Sequence, residues 1–251
     1  MKKTKVIIPA LGMLLLSTAA SVTGTVAWFA ANASVTATGM NITASTDSEF
    51  LVISRTSTLG TLETVAIENP ASGAVLPTAW VNNTGWNWVT ATGTSTSNGA
   101  KTGDFTNLTI SESGHFGSAS GKHYYVYDSV FVGLAAGSSI PTGKKLVCDA
   151  TFDAVKSSAL NACLTVGLSV GGAPTADFNK KFVMGSDSAD PVAIPHLDTD
   201  SLIPGASLGT TGTEIKIFAY YDGENPACKT ENAINLDAIT ISFTFRLVDA
   251  E

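Results

Sequence analysis

The stretch from Ile239 to Leu247 constrains the fold more than any other part of the sequence. Every second residue in it is apolar and the residues between are polar; the apolar positions are Ile239, Ile241, Phe243, Phe245 and Leu247. Because successive side chains of a strand point to opposite faces, this period of two predicts a β-strand with one buried face. The pattern leaves almost no helical interpretation. Residues 215–221 repeat the alternation ahead of an Asp222-Gly223 turn.

The rest of the chain is also typical of β-structure. Short apolar or alternating stretches recur with Gly, Pro, Asn and Asp between them; the clearest are 50–54, 123–134, 144–152 and 164–170. About ten short strands separated by turn signals predict a β-sandwich of jelly-roll type. Neither a break in composition nor a repeat marks a second domain, so we assign residues 46–251 to a single all-β domain.

The N-terminal residues have the three parts of a secretory signal peptide. Met1 to Lys5 is basic, the segment from Val6 to about Ala20 is apolar, and small residues follow up to Ala27. We therefore predict that residues 1–27 are a cleaved leader and that the protein is secreted. The alternative is a retained anchor, since Val6 to Ala33 carries no charge and is long enough to span a bilayer. Its weakly apolar second half, rich in Thr, Ser, Gly and Ala, favours cleavage, after which no stable membrane insertion is expected.

The charge balance argues against two kinds of partner. The 251 residues carry 14 Lys+Arg against 21 Asp+Glu, a formal net charge of −7. Removal of the leader takes away Lys2, Lys3 and Lys5 and leaves 11 basic against 21 acidic residues, a balance of −10. An acidic chain without a basic run is a poor binder of nucleic acid, and an anionic membrane surface repels it. We expect neither partner.

Three cysteines occur in the chain, so at most one intrachain disulfide is expected. Cys148 occupies an apolar position of an alternating stretch, whereas Cys163 and Cys228 occupy polar or turn positions. Export permits oxidation, and an odd count leaves one thiol unpaired. If a bridge forms, the pair Cys163 and Cys228 is favoured. No Cys-x-x-Cys or Cys/His spacing predicts a metal site.

The sequence offers little support for an enzyme or a cofactor. A zinc protease would need His-Glu-x-x-His on a helix, and the three histidines, His115, His123 and His196, lie far apart. No Gly-x-Ser-x-Gly nucleophile elbow is identified either, which weakens a hydrolase. Several aspartates in the loop 187–200 are the one weak indication of Ca²⁺, but a solvated acidic loop explains them better. We predict a non-enzymatic protein without a cofactor.

Three tryptophans, Trp80, Trp86 and Trp88, surround a turn-like segment in the first half of the chain. Their indole faces would suit a platform on which sugar rings stack. The alternative is packing beneath the following loop, which is favoured because tryptophan is highly buried on average. An exposed platform would indicate a surface-displayed binding module or adhesin that recognises a glycan or a host protein.

The junction between leader and fold resembles that of a known family. Thr25-Val-Ala-Trp-Phe29, Asn32 and the stretch Val35 to Ala44 resemble the start of the TasA/camelysin-like secreted biofilm-matrix fibre proteins of Gram-positive bacteria. The tail adds a looser likeness through Tyr220-Tyr-Asp-Gly-Glu224, with Cys228, and Phe243-Thr-Phe245. The resemblance covers roughly residues 1–45 closely and roughly residues 212–251 loosely. The middle of the chain matches in β character alone.

The resemblance implies a jelly-roll subunit of an extracellular fibre. It implies that a signal peptidase cuts at Ala27 or Trp28, although a cut after Ala33 better satisfies the preference for small residues at the cleavage site. Residues 28–45 would then be an extended arm and candidate donor strand, with Phe29, Val35, Met40 and Ile42 as its apolar side chains. An arm that adds a strand to the next copy gives a head-to-tail homopolymer. The long C-terminal strand is a candidate wall of the acceptor groove.

Overall fold

The computed structural model places β-strands throughout the described part of the chain. The described residues are 35–37, 41–46, 51–60, 64–68, 73–82, 85–91, 105–139, 142–154, 163–183, 203–204, 207–225, 228 and 239–250. These ranges hold strands and turns and no α-helix, so the predicted all-β class is confirmed. The leader and the loop 187–200 lie outside them. Within the same ranges no helix has the length and apolar character needed to cross a membrane.

The largest sheet has nine strands. Its main path runs β1 (Val35–Ala37), β5 (Gly73–Val75), β11 (Lys122–Leu134), β16 (Thr213–Tyr221), β13 (Leu164–Val170) and β14 (Lys180–Val183). Two further strands pair with β11, namely β3 (Leu51–Ser54) and β10 (Phe116–Ala119), and β9 (Ser111–Ser113) pairs with β10. All these pairings are antiparallel except the single parallel contact of β5 with β11.

A second sheet of five strands joins the two ends of the chain. Its order is β15 (Ile203–Pro204), β12 (Lys144–Ala154), β17 (Ile239–Asp249), β2 (Asn41–Thr46) and β4 (Thr64–Glu68). Strand β17 pairs with β12 in antiparallel fashion over its whole length, and with β2 in parallel. The predicted domain boundary between residues 45 and 46 falls within β2. A third sheet contains β6 (Ala79–Asn82), β7 (Trp86–Ala91) and β8 (Phe105–Asn107).

The main core draws on both of the larger sheets. From the C-terminal strand β17, Ile241, Phe243 and Phe245 are buried while the residues between them are partly exposed. This is the alternation that the sequence predicts for a half-buried strand. From β16, the residues Ile215, Ile217, Ala219 and Tyr221 enter the same core. The two larger sheets therefore share one core in a sandwich-like arrangement.

A second apolar cluster, here called the aromatic cluster, contains the alternate residues of β16. It consists of Trp88, Tyr124, Tyr125, Phe178, Phe218 and Tyr220. Phe218 and Tyr220 lie between the residues of β16 that enter the main core, so they belong to the opposite face of the strand. The ring of Trp88 brings the three-stranded sheet into this cluster.

Two glycines allow aromatic rings to lie directly on the backbone of the nine-stranded sheet. A Cβ atom at Gly167 would lie 2.5 Å from Cδ1 of Phe178, and one at Gly117 would lie 2.1 Å from Cζ of Tyr125. Both distances are far shorter than van der Waals contact between carbon atoms. The absence of a side chain is therefore a packing requirement of the aromatic cluster at Gly117 and Gly167.

Replacement of Gly167 by alanine should lower the free energy of unfolding by about 2 kcal/mol, because Phe178 must leave its place on β13. Chemical denaturation followed by tryptophan fluorescence measures the change. Gly60→Ala is the matched control, since a Cβ there meets nothing within 4 Å. Equal stabilities for the two variants would contradict the assigned role of Gly167.

Candidate functional site

The three tryptophans lie on one face of the hairpin formed by β6 and β7. Trp80 is the register partner of Trp88, and Asn82 is the partner of Trp86. Because alternate residues share a face, this register places Trp80, Trp86 and Trp88 side by side. The Trp80 and Trp88 rings meet edge to face with centroids 5.3 Å apart. The Trp80 and Trp86 rings stack at 6.4 Å with 13° between their planes.

Trp88 is the buried member of the three. Its side chain is 6% exposed. The ring stacks on Tyr125 with centroids 4.5 Å apart and meets the ring of Tyr220 edge to face at 4.9 Å. Phe218 and Phe178 lie about it at 6.1 and 6.0 Å. The faces of this indole are taken up by these aromatic side chains, and a ligand would have to displace them. The loop after β7, beneath which packing was expected, lies outside the described residues.

Trp80 and Trp86 are partly exposed and form the outer part of the hairpin face. Trp80 also contacts Phe178, with ring centroids 5.7 Å apart. Its Nε1–H is buried and has no hydrogen-bond partner among the described residues. The predicted three-ring platform is thus reduced to one stacked pair, Trp80 and Trp86, resting on a buried Trp88.

The N-terminal arm enters both of the larger sheets. Val35 lies in β1, opposite Val75 of β5. Ile42 lies in β2, between Ile241 of β17 and Ile67 of β4. The other predicted arm and cleavage residues, Ala27, Trp28, Phe29 and Met40, lie outside the described residues. The described part of the arm is therefore placed as backbone strands within its own chain.

All three cysteines, Cys148, Cys163 and Cys228, are buried, and the structure places none of them in a disulfide. Cys148 lies in β12, opposite Phe245 of β17. Cys163 immediately precedes β13, and Cys228 follows the turn after β16. The structure therefore places the two predicted partners near the same end of the β13–β16 pair.

One catalytic spacing was missed in the sequence. Residues Gly167 to Gly171 match Gly-x-Ser-x-Gly, with Ser169 at the centre. In a hydrolase this spacing forms a sharp strand-to-helix turn that exposes the serine. Here Ser169 lies within strand β13, opposite Lys216, and is 2% exposed. The context of a nucleophile elbow is lacking at this position.

A serine and a histidine also meet in the structure without any sequence signal. Ser118 Oγ lies 2.7 Å from His123 Nδ1, at the irregular pairing of β10 with β11. The His123 ring stacks on Phe116 with centroids 4.1 Å apart. A catalytic pair needs a third group that orients the imidazole and donors for an oxyanion. No acid contacts His123 within the described ranges, so the pair is best explained as a cross-strand contact.

A partly exposed charged pair connects β9 with β16 within the nine-stranded sheet. Lys216 Nζ bonds to Glu112 Oε2, and Tyr125 Oη donates to Glu112 Oε1 at 3.0 Å. Lys216 Nζ also lies 4.6 Å from the ring centroid of Tyr127. Burial, and then the Glu112 carboxylate, raise the pKa of Tyr125 well above its ordinary value. These contacts stabilise the fold. The sequence shows the three residue types but does not show that Lys216, Glu112 and Tyr125 meet.

Neither a group of metal ligands among the described residues nor a comparison with known proteins adds a residue to the site. Among the described residues, no group of three or more His, Cys, Asp or Glu side chains is placed to hold a metal ion. Comparisons of the chain with protein-family models, with curated proteins and with solved structures found no match. Among the described residues, the predictions about function concern the N-terminal strands and the tryptophan hairpin.

Replacement of Trp88 by alanine should lower the free energy of unfolding by roughly 3–5 kcal/mol, because it removes the centre of the aromatic cluster. Trp86→Ala on the same strand should cost less than about 1 kcal/mol, as expected for a partly exposed residue. Urea denaturation of both variants makes the comparison. A larger loss for Trp86→Ala would contradict the burial of Trp88 as the source of stability.

Proposed function

We propose that the protein is a secreted, non-enzymatic structural subunit of an extracellular fibre, in a biofilm matrix or on the cell surface. Its domain is a jelly-roll sandwich, and copies assemble head to tail through the N-terminal arm. The observation that carries the proposal is the placement of β1 and β2. These two short strands follow one another in the chain and pair in two different sheets.

Strand β2 would anchor the arm in its own subunit. It lies between β17 and β4, in parallel register with β17 from Thr240↔Asn41 to Phe245↔Thr46. Six residues of the arm thus contribute to the interior of a sheet. Removing β2 would leave the backbone groups of two neighbouring strands without partners, which is costly for buried strands. An arm held in this way stays attached to its subunit while the residues ahead of it change partner.

Strand β1 and the residues ahead of it would be the donor. β1 has only three residues, and its described partner is β5 at the end of the large sheet. Three register pairs are a small loss if the segment pairs with β5 of another copy instead. The backbone hydrogen bonds are the same in both cases, since strand addition uses main-chain groups. A head-to-tail contact that does not close on itself gives a filament when it is repeated.

Two sequence features support the same proposal. The N-terminal residues read as a signal peptide, whose removal by a signal peptidase at Ala27 or Trp28 would free Phe29 and the arm behind it. The resemblance of this junction to the TasA/camelysin-like proteins points to the same location and the same mode of assembly. Polymerisation would then begin only after export, when the arm is released from the leader.

Mature protein that lacks residues 29–37 should stay folded and form no fibres, because the deletion removes the donor and keeps β2. Negative-stain electron microscopy detects fibres, and circular dichroism verifies the fold. Trp86→Ala is the control and should assemble like the unaltered protein. Fibres that persist after the deletion would rule out strand donation by the arm.

The choice of deletion follows from the sheet order. A longer deletion of residues 29–44 would also remove most of β2 from between β17 and β4. Loss of fibres would then report unfolding as readily as loss of the donor. The shorter deletion separates the two effects.

A second function is a surface-displayed binding module or adhesin. The stacked, partly exposed pair Trp80 and Trp86 favours it, because parallel indole rings offer a flat apolar surface to a sugar ring. The ligand would be a glycan, and the buried Trp88 would support the two rings from below.

For this function, saturable glycan binding should be lost in Trp86→Ala while the fold is retained. Calorimetry against a panel of oligosaccharides measures the binding. Such a loss in a preparation without fibres would favour the adhesin over the fibre subunit. Unchanged binding in Trp86→Ala would eliminate the tryptophan pair as the ligand site.

A further inference from the structure

The backbone brings Cys163 and Cys228 to the same place. The carbonyl oxygen of Cys163 accepts a hydrogen bond from Asp222 N at 2.8 Å, directly after the end of β16. Two further backbone hydrogen bonds follow: Asn225 N donates to Asp222 O at 3.0 Å, and Cys228 N donates to Asn225 O at 2.9 Å. Another bond, from Gly223 N to Thr78 O at 2.9 Å, fixes the start of this stretch of chain. The chain after β16 therefore returns to Cys163, the residue just before β13.

The two cysteines lie together inside the main core. Cys163 is 0% exposed and Cys228 is 2% exposed, and both belong to the same buried cluster. The neighbouring Cys228 thiol, and then burial, raise the pKa of the Cys163 thiol well above its ordinary value. The hydroxyl of Tyr221 is buried close by; burial, and then Cys228 and Cys163, raise its pKa. This hydroxyl has no hydrogen-bond partner among the described residues.

The third cysteine is placed differently. Cys148 lies in the five-stranded sheet, where its thiol is 3.5 Å from the carbonyl oxygen of Asp149. It is buried to the same degree, at 1% exposed. Neither of the other two cysteines is among the groups that affect its pKa, whereas Asp149 and Lys180 are. Cys148 is therefore a natural internal control for the reactivity of a buried thiol in this protein.

We propose that Cys163 and Cys228 form an intrachain disulfide that fastens the turn after β16 to the start of β13. The bond forms by exchange with a small disulfide such as oxidised glutathione. A thiolate of the pair attacks the oxidant and releases one thiol; the second thiolate then attacks the mixed disulfide and releases the other. The two cysteines are oxidised by two electrons, the oxidant is reduced to two thiols, and the two protons of the pair go to those thiols.

Burial sets the time at which the reaction occurs. Exchange needs an accessible thiolate, and both thiols are shielded in the folded protein. Oxidation therefore belongs to folding, before the main core closes over the pair. The same burial protects the finished bond from reductants. The inference does not depend on fibre formation, since it concerns a single chain.

Peptide mapping of the full chain tests the pairing directly. The protein is refolded with oxidised and reduced glutathione, alkylated under denaturing conditions and digested without reductant. Mass spectrometry should find the Cys163 peptide linked to the Cys228 peptide and Cys148 alkylated. In a mixture of ¹⁵N-labelled and unlabelled protein, both peptides of each linked pair should be labelled or both unlabelled, because the bridge joins residues of one chain. Separately alkylated Cys163 and Cys228, a bridge to Cys148, or mixed-label pairs would overturn the proposal.

Thermal unfolding measures the effect of the bridge on stability. A bridge that closes the loop from residue 163 to residue 228 should raise Tm by roughly 10 °C relative to protein refolded in reductant. Cys148→Ala should keep this difference, and Cys228→Ser should abolish it. Mapping of the unaltered chain decides the pairing even if Cys228→Ser does not fold. Equal Tm values for oxidised and reduced protein, with the bridge absent from the map, would refute the inference.

Discussion

The structure depends on the burial of both faces of one strand, β16. All residues from Ile215 to Tyr221 are buried. The hydrophobic ones divide between the main core, which takes Ile215, Ile217, Ala219 and Tyr221, and the aromatic cluster, which takes Phe218 and Tyr220. One face of the strand thus joins the large sheet to the five-stranded sheet, and the other receives the ring of Trp88 from the tryptophan hairpin. Its neighbours β11 and β13 pair along both edges. Because every side chain of this segment is in contact with protein, the surrounding sheets are fixed relative to it.

Local patterns in the sequence predicted where strands lie better than they predicted which strands pair. The alternation from Ile239 to Leu247 correctly predicted strand β17, because a period of two is a property of the segment itself. Its parallel neighbour β2 lies almost 200 residues away in sequence (Thr240 beside Asn41), and the alternation of β17 does not encode that pairing. The same holds for Gly167, whose requirement arises only when Phe178 is placed on it. Contacts between distant segments are therefore the part that required the structure.

The candidate sites show the same division. Composition alone favoured packing over ligand binding for the tryptophans, and the structure assigns packing to Trp88 while Trp80 and Trp86 stay partly exposed. No single residue pattern distinguishes the three, because the difference comes from the packing of Trp88 against Tyr125 and Tyr220 of the large sheet. The cysteines are a contrasting case. Their positions relative to local apolar patterns were enough to favour Cys163 and Cys228, which the turn after β16 then brings together.

The parallel pairing of β2 with β17 also determines the order in which the fold can be completed. Strands β2 and β4 precede β17 by a long stretch of chain, yet β17 is the strand that joins β2 to β12. Until β17 has docked, β2 and β4 have no route to β12 and β15. Such long-range pairing slows folding and leaves strand edges exposed in the meantime. The five-stranded sheet is therefore completed by its central strand, and the edges of β2 and β12 that face it stay unpaired until then.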